Sequence, residues 1–202
     1  MKTKDIYVIP KRWTVDEVVS EDVFAVTVDE VKESARMDKE DNLLDDTIER
    51  YILTAQKRIE KYCGLTLFRT RFIGWYDSFP IVMLVEKKPF KEVQKIEYED
   101  SEGVKVLDGS IYQVQKMEFM TNVFLRKGRN YPAIKAWSVD VVKLFVESGW
   151  DNAEDVPEDI KTAIVMSVVK MLQGDCGDNN ILTKGAKDLL RSYRDELSWA
   201  RN

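Results

Sequence analysis

The sequence predicts an α+β protein: a helical bundle, made of one long N-terminal helix and two C-terminal helices, with an inserted antiparallel β lobe. Apolar residues recur at three- and four-residue steps from Leu44 to Tyr62, the period changes to two after Leu65, and the helical period returns after Val156. Parallel βαβ units would contradict this architecture. The predicted divisions are an extended N-terminal arm (1–26), a first bundle part (27–66), the β lobe (67–148), and a second bundle part with the C-terminal helix (149–202).

The first 26 residues alternate only weakly between apolar and polar types, so they are predicted to form an extended or weakly ordered arm. After them, Thr27 and Glu30 have the three-residue spacing of a capping box, in which each side chain accepts a hydrogen bond from the other residue's backbone N–H. A short helix is therefore predicted from Thr27 to about Arg36.

A helix of about six turns is predicted within "DKEDNLLDDTIERYILTAQKRIEKYCG", where the apolar residues form one face. Gly64 supplies the left-handed residue that ends many helices. Acidic residues crowd the start of this helix and basic residues its end, which complements the helix dipole. The dipole explains Asp45 and Asp46 without any ligand, and a carboxylate metal site is the alternative.

The segment from Leu65 to Glu147 is rich in β-branched and aromatic residues and is punctuated by turn residues, as in an antiparallel β lobe. Its clearest hairpin is "KEVQKIEYEDSEGVKVLD", with a turn at Asp100, Ser101 and Gly103. Further strands are predicted at 67–75, 81–86, 111–117, 122–126 and 139–147.

The stretch "VPEDIKTAIVMSVVKMLQG" predicts a helix from about Val156, because Pro157 is favoured in the first turn. Apolar residues cover about half of its circumference, which is wider than the roughly 100° stripe of a surface helix. Two different surfaces must therefore cover this helix. The chain then ends in a predicted amphipathic helix, residues 183–200.

The sequence offers little catalytic chemistry. It contains no histidine, which excludes imidazole bases and imidazole metal ligands, and it lacks phosphate-binding glycine motifs and nucleophile elbows. Cys63 and Cys176 are predicted to be free thiols of a cytosolic protein. We expect no enzymatic activity, no cofactor and no metal. A remote alternative is a metal-dependent nuclease that uses carboxylates such as Asp45, Asp46, Glu154 or Asp155.

Charge and hydropathy restrict the partners. The formal net charge is −5, and no apolar run approaches the roughly 20 residues of a membrane span, so a soluble intracellular product with no membrane partner is expected. An acidic chain is not expected to wrap nucleic acid. The dense basic stretch "RKGRN" carries Arg126, Lys127 and Arg129, which could contact DNA or an acidic partner, or could form a solvated hairpin tip.

Taken in order, five segments resemble the head-to-tail connector (adaptor) proteins of long-tailed phages and related gene-transfer particles. The most telling is the "SGW…VPEDIK" passage. The sequence departs from the family pattern in its longer arm, residues 1–26, and in the charged "VEKKPF" stretch. The five segments are "VTVDEVKESARMD", "NLLDDTIERYILTAQKRIEKYCGLTL", "KKPFKEVQKIEYEDSEGVKVLDGSIYQV", "VVKLFVESGWDNAEDVPEDIKTAIVMSVVKML" and "AKDLLRSYR".

This resemblance implies a structural protein of the virion neck, made in the host cytoplasm. Such a protein forms a ring below the portal, with the twelve-fold symmetry of the portal, and extends the DNA channel. Its partners would be the portal protein, a tail-side stopper or tail-completion protein, and other copies of itself, while DNA passes through without specific binding. The alternative within the same neck is that this chain is itself the tail-completion or stopper protein.

The resemblance also suggests contact residues. Val165 and Val169 lie on the broad apolar helix and are predicted to face a neighbouring subunit, unless the β lobe covers them. The C-terminal helix is predicted to reach the portal through Tyr193, Arg194 and Trp199. The alternative is that Tyr193 and Trp199 only close the core of their own subunit.

Overall fold

In the computed structural model, helices and strands fall into two units, each with its own hydrophobic core. One unit is built from the residues up to Val19 and from Arg69–Gly149, and we call it the β unit. The other is built from Ser20–Phe68 and from Trp150 onward, and we call it the helical unit. The fold class is α+β, as predicted. The structure describes residues 7–20, 24–117, 120–174 and 181–194.

The helical unit begins with the predicted capping box. The Oγ1 atom of Thr27 accepts a hydrogen bond from the Glu30 backbone N–H at 3.2 Å, and the Glu30 carboxylate accepts one from the Thr27 N–H at 2.5 Å. Gly64 ends the second helix in the predicted left-handed conformation, with φ of 67°. The helices are α1 (Val28–Ala35), α2 (Asp45–Cys63), α3 (Glu158–Leu172) and α4 (Lys184–Leu189).

The core of the helical unit joins α2, α3 and the C-terminal segment. Ile52 and Ile59 of α2 and Ile164 of α3 are fully buried, as the apolar spacing of both helices predicts. Cys63 is buried in the same core, where its thiol lies 3.9 Å from the Leu190 carbonyl oxygen. Cys176, the other cysteine predicted to be a thiol, lies outside the described residues.

The predicted C-terminal helix, residues 183–200, is wrong in its extent. α4 ends at Leu189, a 3₁₀ turn follows over Leu190–Tyr193, and Arg194 is already extended. A 3₁₀ turn places residues i and i+3 on one side, so Leu190 and Tyr193 both pack against the core. The amphipathic pattern alone could not reveal this tighter winding. Residues 195–202 lie outside the described part of the chain.

The β unit contains two sheets that share one core. One sheet has the order β1-β4-β8-β7 and the other has the order β2-β3-β9-β5-β6. Among the described strands, β1 pairs with β4 in parallel and every other pairing is antiparallel. The strands are β1 (Tyr7–Val8), β2 (Arg12–Val18), β3 (Thr70–Tyr76), β4 (Val82–Val85), β5 (Phe90–Asp100), β6 (Gly103–Val106), β7 (Tyr112–Lys116), β8 (Thr121–Leu125) and β9 (Val142–Ser148).

The hairpin predicted from "KEVQKIEYEDSEGVKVLD" is confirmed as β5 and β6. Asp100 pairs with Gly103 across the turn, and the Asp100 carboxylate accepts a hydrogen bond from the Glu102 N–H at 2.8 Å. Gly103 has φ of 128°, which a residue with a side chain rarely adopts.

Residues 7–18 of the predicted N-terminal arm are not separate from the β lobe, because they include strands of both sheets. Ala25 and Val26, at the end of the arm, are buried in the core of the helical unit. β2 pairs with β3 along its whole length, and the Trp75 indole N–H donates to Thr14 at 2.9 Å. Gly74 makes this close approach possible: a Cβ atom there would lie 2.8 Å from Pro10 and 2.9 Å from Trp13. The weak alternation of the arm concealed this pairing, because both faces of an edge strand can carry polar residues.

A buried ionic cluster lies on the central strand β9. The Glu147 side chain is fully buried, and its carboxylate oxygens lie 2.6 Å from Arg69 and 2.9 Å from Arg71. Burial alone would raise the pKa of Glu147, but the hydrogen bonds and positive charges of the two arginines outweigh it, so the pKa lies below its ordinary value. Glu147 is therefore held ionised.

Candidate interaction surfaces

Among the described residues, only one side of the broad apolar face of α3 is fully covered. Ile160, Ile164 and Val168 are fully buried in the core, whereas Val165 and Val169 are half-buried and line an open groove of about 440 Å³. We call this surface the α1–α3 groove. Its lining consists of Val26, Glu30, Ser34, Glu158, Lys161, Thr162, Val165, Met166, Val169 and Thr183.

The charged groups around the α1–α3 groove are already engaged locally. The Lys161 ammonium lies 3.0 Å from the Glu158 carboxylate, and the Glu30 carboxylate completes the capping box of α1. The valine and methionine side chains thus give the groove an apolar floor with a neutralised rim. Such a surface favours burial of a partner's apolar side chains over recognition of a charged ligand.

A second open pocket, of about 390 Å³, lies where the C-terminal segment packs beside the end of α2. Among the described residues, no acidic side chain lines it. We call it the basic pocket. It is lined by Arg58, Lys61, Tyr62, Ile181, Leu182, Lys187 and Arg194.

The basic pocket combines four cations with an apolar wall. Arg58 and Lys61 are three residues apart on α2, so they project from one helix face, and Lys187 comes from α4. The Arg194 guanidinium lies 5.1 Å from the centre of the Tyr62 ring, a cation–π contact. This arrangement can hold carboxylates or phosphates beside an apolar group.

Of the residues in this pocket, only Arg194 was predicted from the sequence as a contact residue, and it was assigned to the portal. Arg58 and Lys61 belong to the basic end of α2, which was predicted only to complement the helix dipole. The three-residue spacing of these two cations was a usable signal, but their proximity to Lys187 depends on the tertiary packing of α4.

Tyr193 and Trp199 are the other two residues predicted to contact the portal. Tyr193 is half-buried against the helical core, and burial, with the nearby Asp159 charge, raises the pKa of its hydroxyl. This position agrees with the alternative that Tyr193 closes its own subunit. Trp199 lies outside the described residues.

The basic stretch at Arg126, Lys127 and Arg129 forms an exposed turn that leaves β8. Gly128 adopts φ of 79°, and the Arg126 guanidinium donates to the Tyr112 backbone carbonyl at 3.0 Å. The turn does not join two strands of one hairpin, because β9 belongs to the other sheet. Lys127 and Arg129 are exposed and available to a partner.

Two large apolar side chains that the sequence pattern does not single out are strongly exposed. The Trp137 side chain is fully exposed. Leu43 is 85% exposed in the segment that joins α1 to α2. We call residues 38–46 the acidic loop, since it holds five carboxylates and one lysine.

Two of the four carboxylates named in the metal-site alternative, Asp45 and Asp155, have local partners. The Asp45 carboxylate lies 2.6 Å from the Lys32 ammonium, and the Asp155 carboxylate accepts a hydrogen bond from the Asn152 N–H at 3.3 Å. Over the described ranges, no group of three or more acidic, cysteine or histidine side chains could hold a metal ion. In the same ranges, no helix is long and apolar enough to cross a membrane.

Comparison with known proteins gives matches at the level of structure only. No protein-family model matches the sequence, and no curated protein matches it. A chain in the neck of an empty gene transfer agent particle, computed with C6 symmetry, superposes with a TM-score of 0.70 at 14% identity, covering 91% of this chain and 95% of the other.

Two further structures give the same result. A chain in the virion of a native gene transfer agent particle matches with a TM-score of 0.69 at 13% identity, covering 90% of this chain and 94% of the other. A chain in the neck of the native particle, computed with C12 symmetry, matches with a TM-score of 0.61 at 16% identity over 84% and 92% of the two chains. This chain therefore has the same fold as chains in the neck and virion of gene transfer agent particles.

Proposed function

We propose that this protein is a structural component of the neck of a phage-like particle, a head-to-tail connector that forms a ring below the portal and extends the DNA channel. The observation that carries the proposal is the near-complete structural match in both directions, which covers 91% of this chain and 95% of a neck chain. A fold alone does not assign a function, so the proposal also depends on the surfaces described above.

Ring formation is supported by the half-covered helix. In the proposed ring, the helical unit acts as the bundle through which subunits pack, and the α1–α3 groove with Val165 and Val169 receives the neighbouring copy. The two neck structures were computed with C6 and C12 symmetry, so their chains repeat around an axis. Twelve copies would match a twelve-fold portal.

The portal and the tail-side partner would contact different parts of the chain. We assign the portal contact to the C-terminal segment with Tyr193, Arg194 and Trp199. The exposed cations Arg126, Lys127 and Arg129 are assigned to DNA or to the tail-side ring. The net charge of −5 suits a channel that DNA must traverse, because a basic lumen would retain phosphates through counterion release.

Deletion of the gene in a producing strain tests this function. Electron microscopy should then show DNA-filled heads and free tails in place of complete particles, and a plasmid copy should restore joining. Complete particles made without the protein would contradict the proposal. A pull-down with purified portal separates connector from stopper: a connector binds the portal directly, whereas a stopper binds only when the preceding ring is present.

A further inference from the structure

We propose that the acidic loop of one copy docks into the basic pocket of the next copy around the ring. This inference rests on the proposed ring and names a contact between its subunits. Apart from Arg194, which is also assigned to the portal contact, it concerns residues that the portal contact and the α1–α3 groove do not use. It pairs two surfaces of opposite charge that lie at separate places on one chain.

The acidic loop presents both negative charge and apolar surface. It holds five carboxylates, and its single lysine, Lys39, is bound to Glu33 at 2.8 Å. Leu43 is 85% exposed and Leu44 is 37% exposed. An acidic segment with exposed leucines needs a partner that offers cations next to an apolar wall, because burial of carboxylates without cations is costly.

The buried side chain of Lys32 holds the acidic loop in a fixed conformation. The Lys32 side chain is 1% exposed, and its ammonium lies 2.6 Å from Asp45, 3.1 Å from the Lys39 carbonyl and 3.4 Å from the Asn42 side-chain oxygen. Three successive parts of the loop therefore converge on one charge. A loop already held in a fixed conformation loses less entropy when it docks.

The basic pocket has the complementary character. Arg58, Lys61 and Lys187 supply positive charge, while Ile181 and Leu182 supply apolar surface. Its volume of about 390 Å³ falls within the roughly 300–1,000 Å³ typical of binding clefts. The exposed carboxylates Glu40 and Asp46 could pair with these cations while Leu43 enters the apolar part.

The two surfaces lie at opposite ends of α2, which sets the geometry of the contact. The helix has 19 residues and is thus roughly 28 Å long. The loop leads into its first turn and the pocket lies at its last two turns, so a chain cannot dock its own loop. A contact between two different patches of identical chains is head-to-tail, and such contacts close into rings when the rotation permits.

Charge reversal tests the contact directly. The loop variant is Glu40→Lys with Asp46→Lys, and the pocket variant is Arg58→Glu with Lys61→Glu. Each is supplied from a plasmid to the deletion strain, and complete particles are counted by electron microscopy. Because like charges would then meet, each variant alone should lower the particle count about tenfold or more. Glu49→Lys and Lys184→Glu, both exposed and outside the two surfaces, are the matched controls and should assemble normally.

Rescue makes the test specific. When the two variants are produced together, subunits can alternate around a ring so that every loop meets a pocket of opposite charge, and the particle count should recover. Circular dichroism melting of each purified variant checks that it is folded. Normal assembly when either variant is produced alone would overturn the inference. It would also be overturned if the loop variant did not rescue the defect of the pocket variant, and that result would indicate that the pocket binds DNA phosphates instead. Complete particles in the deletion strain itself would instead refute the proposed function.

Discussion

The ammonium group of Lys32 lies 2.6 Å from the Asp45 carboxylate, and the Lys32 side chain is almost completely buried. The same nitrogen also contacts the Lys39 backbone carbonyl and the Asn42 side chain. A single lysine on α1 thus fixes both the start of α2 and the course of the loop that precedes it. The acidic cluster of this segment is consequently a structural feature as well as a complement to the helix dipole.

Replacing Lys32 should destabilise the helical unit. Lys32→Met removes the charge but keeps the aliphatic volume, so the loss measures the polar contacts alone. We expect a decrease of about 1–3 kcal/mol in the free energy of unfolding, because Asp45 and two loop oxygens lose their buried partner. Urea unfolding measures it. Lys39→Met, which removes an exposed ion pair, is the control and should change stability little. If the two variants lost the same free energy of unfolding, the buried contacts of Lys32 would contribute no more than an exposed ion pair.

Glu147 should contribute stability that depends on pH. Glu147→Gln removes the buried anion that Arg69 and Arg71 share, while Arg71 keeps its more exposed ion pair with Glu17. We expect a loss of about 3 kcal/mol at pH 7. The folded-state pKa of Glu147 lies below its ordinary value of 4.5, so its contribution is present above that pH and fades as pH falls through the folded-state pKa. The stability difference between wild type and variant should therefore shrink in acid, as urea unfolding at pH 7 and pH 3.5 can measure. A constant difference would contradict the ionised pair.

The α1–α3 groove should matter for assembly more than for folding. The double change Val165→Asn with Val169→Asn makes the groove floor polar while leaving the fully buried core face of α3 intact. We expect the melting temperature to fall only modestly and the yield of complete particles to fall strongly. Val168→Ala on the core face is the matched comparison and should lower stability more while sparing assembly of the folded fraction. Normal particle yield with the double variant would refute the subunit contact.

Replacing one aromatic residue, Trp199, tests the predicted portal contact. Trp199→Ala should weaken binding to purified portal by about 2 kcal/mol, roughly thirtyfold, if the indole fills a pocket on the portal. Calorimetry or surface plasmon resonance gives the affinity. Trp137→Ala, which removes a fully exposed tryptophan in the β unit, is the control. A folded Trp199→Ala variant that binds portal and joins heads to tails normally would show that this assignment is wrong.

Local signals in the sequence predicted the elements whose structure is decided locally. The capping box at Thr27 and Glu30, the left-handed Gly64 and the β5–β6 hairpin all depend on residues within a few positions of one another, and all three are confirmed. The α+β class followed from the change of hydrophobic period, which is a property of long segments.

Features that depend on distant residues were missed. The pairing of β2 with β3 needs the close approach that Gly74 allows to Pro10 and Trp13, and no pattern within residues 1–26 reveals it. The shortened C-terminal helix reflects how Leu190 and Tyr193 reach the core. The basic pocket likewise unites Arg58 and Lys187, which are 129 positions apart in the sequence.

The central claim is that this protein forms a ring in the neck, and cryo-electron microscopy of purified particles tests it most directly. A neck reconstruction with cyclic symmetry should contain this fold as a ring of twelve copies between the portal and the tail, with the helical units of neighbouring copies in contact. A neck in which this fold has no place, or a ring of this fold elsewhere in the particle, would contradict the account.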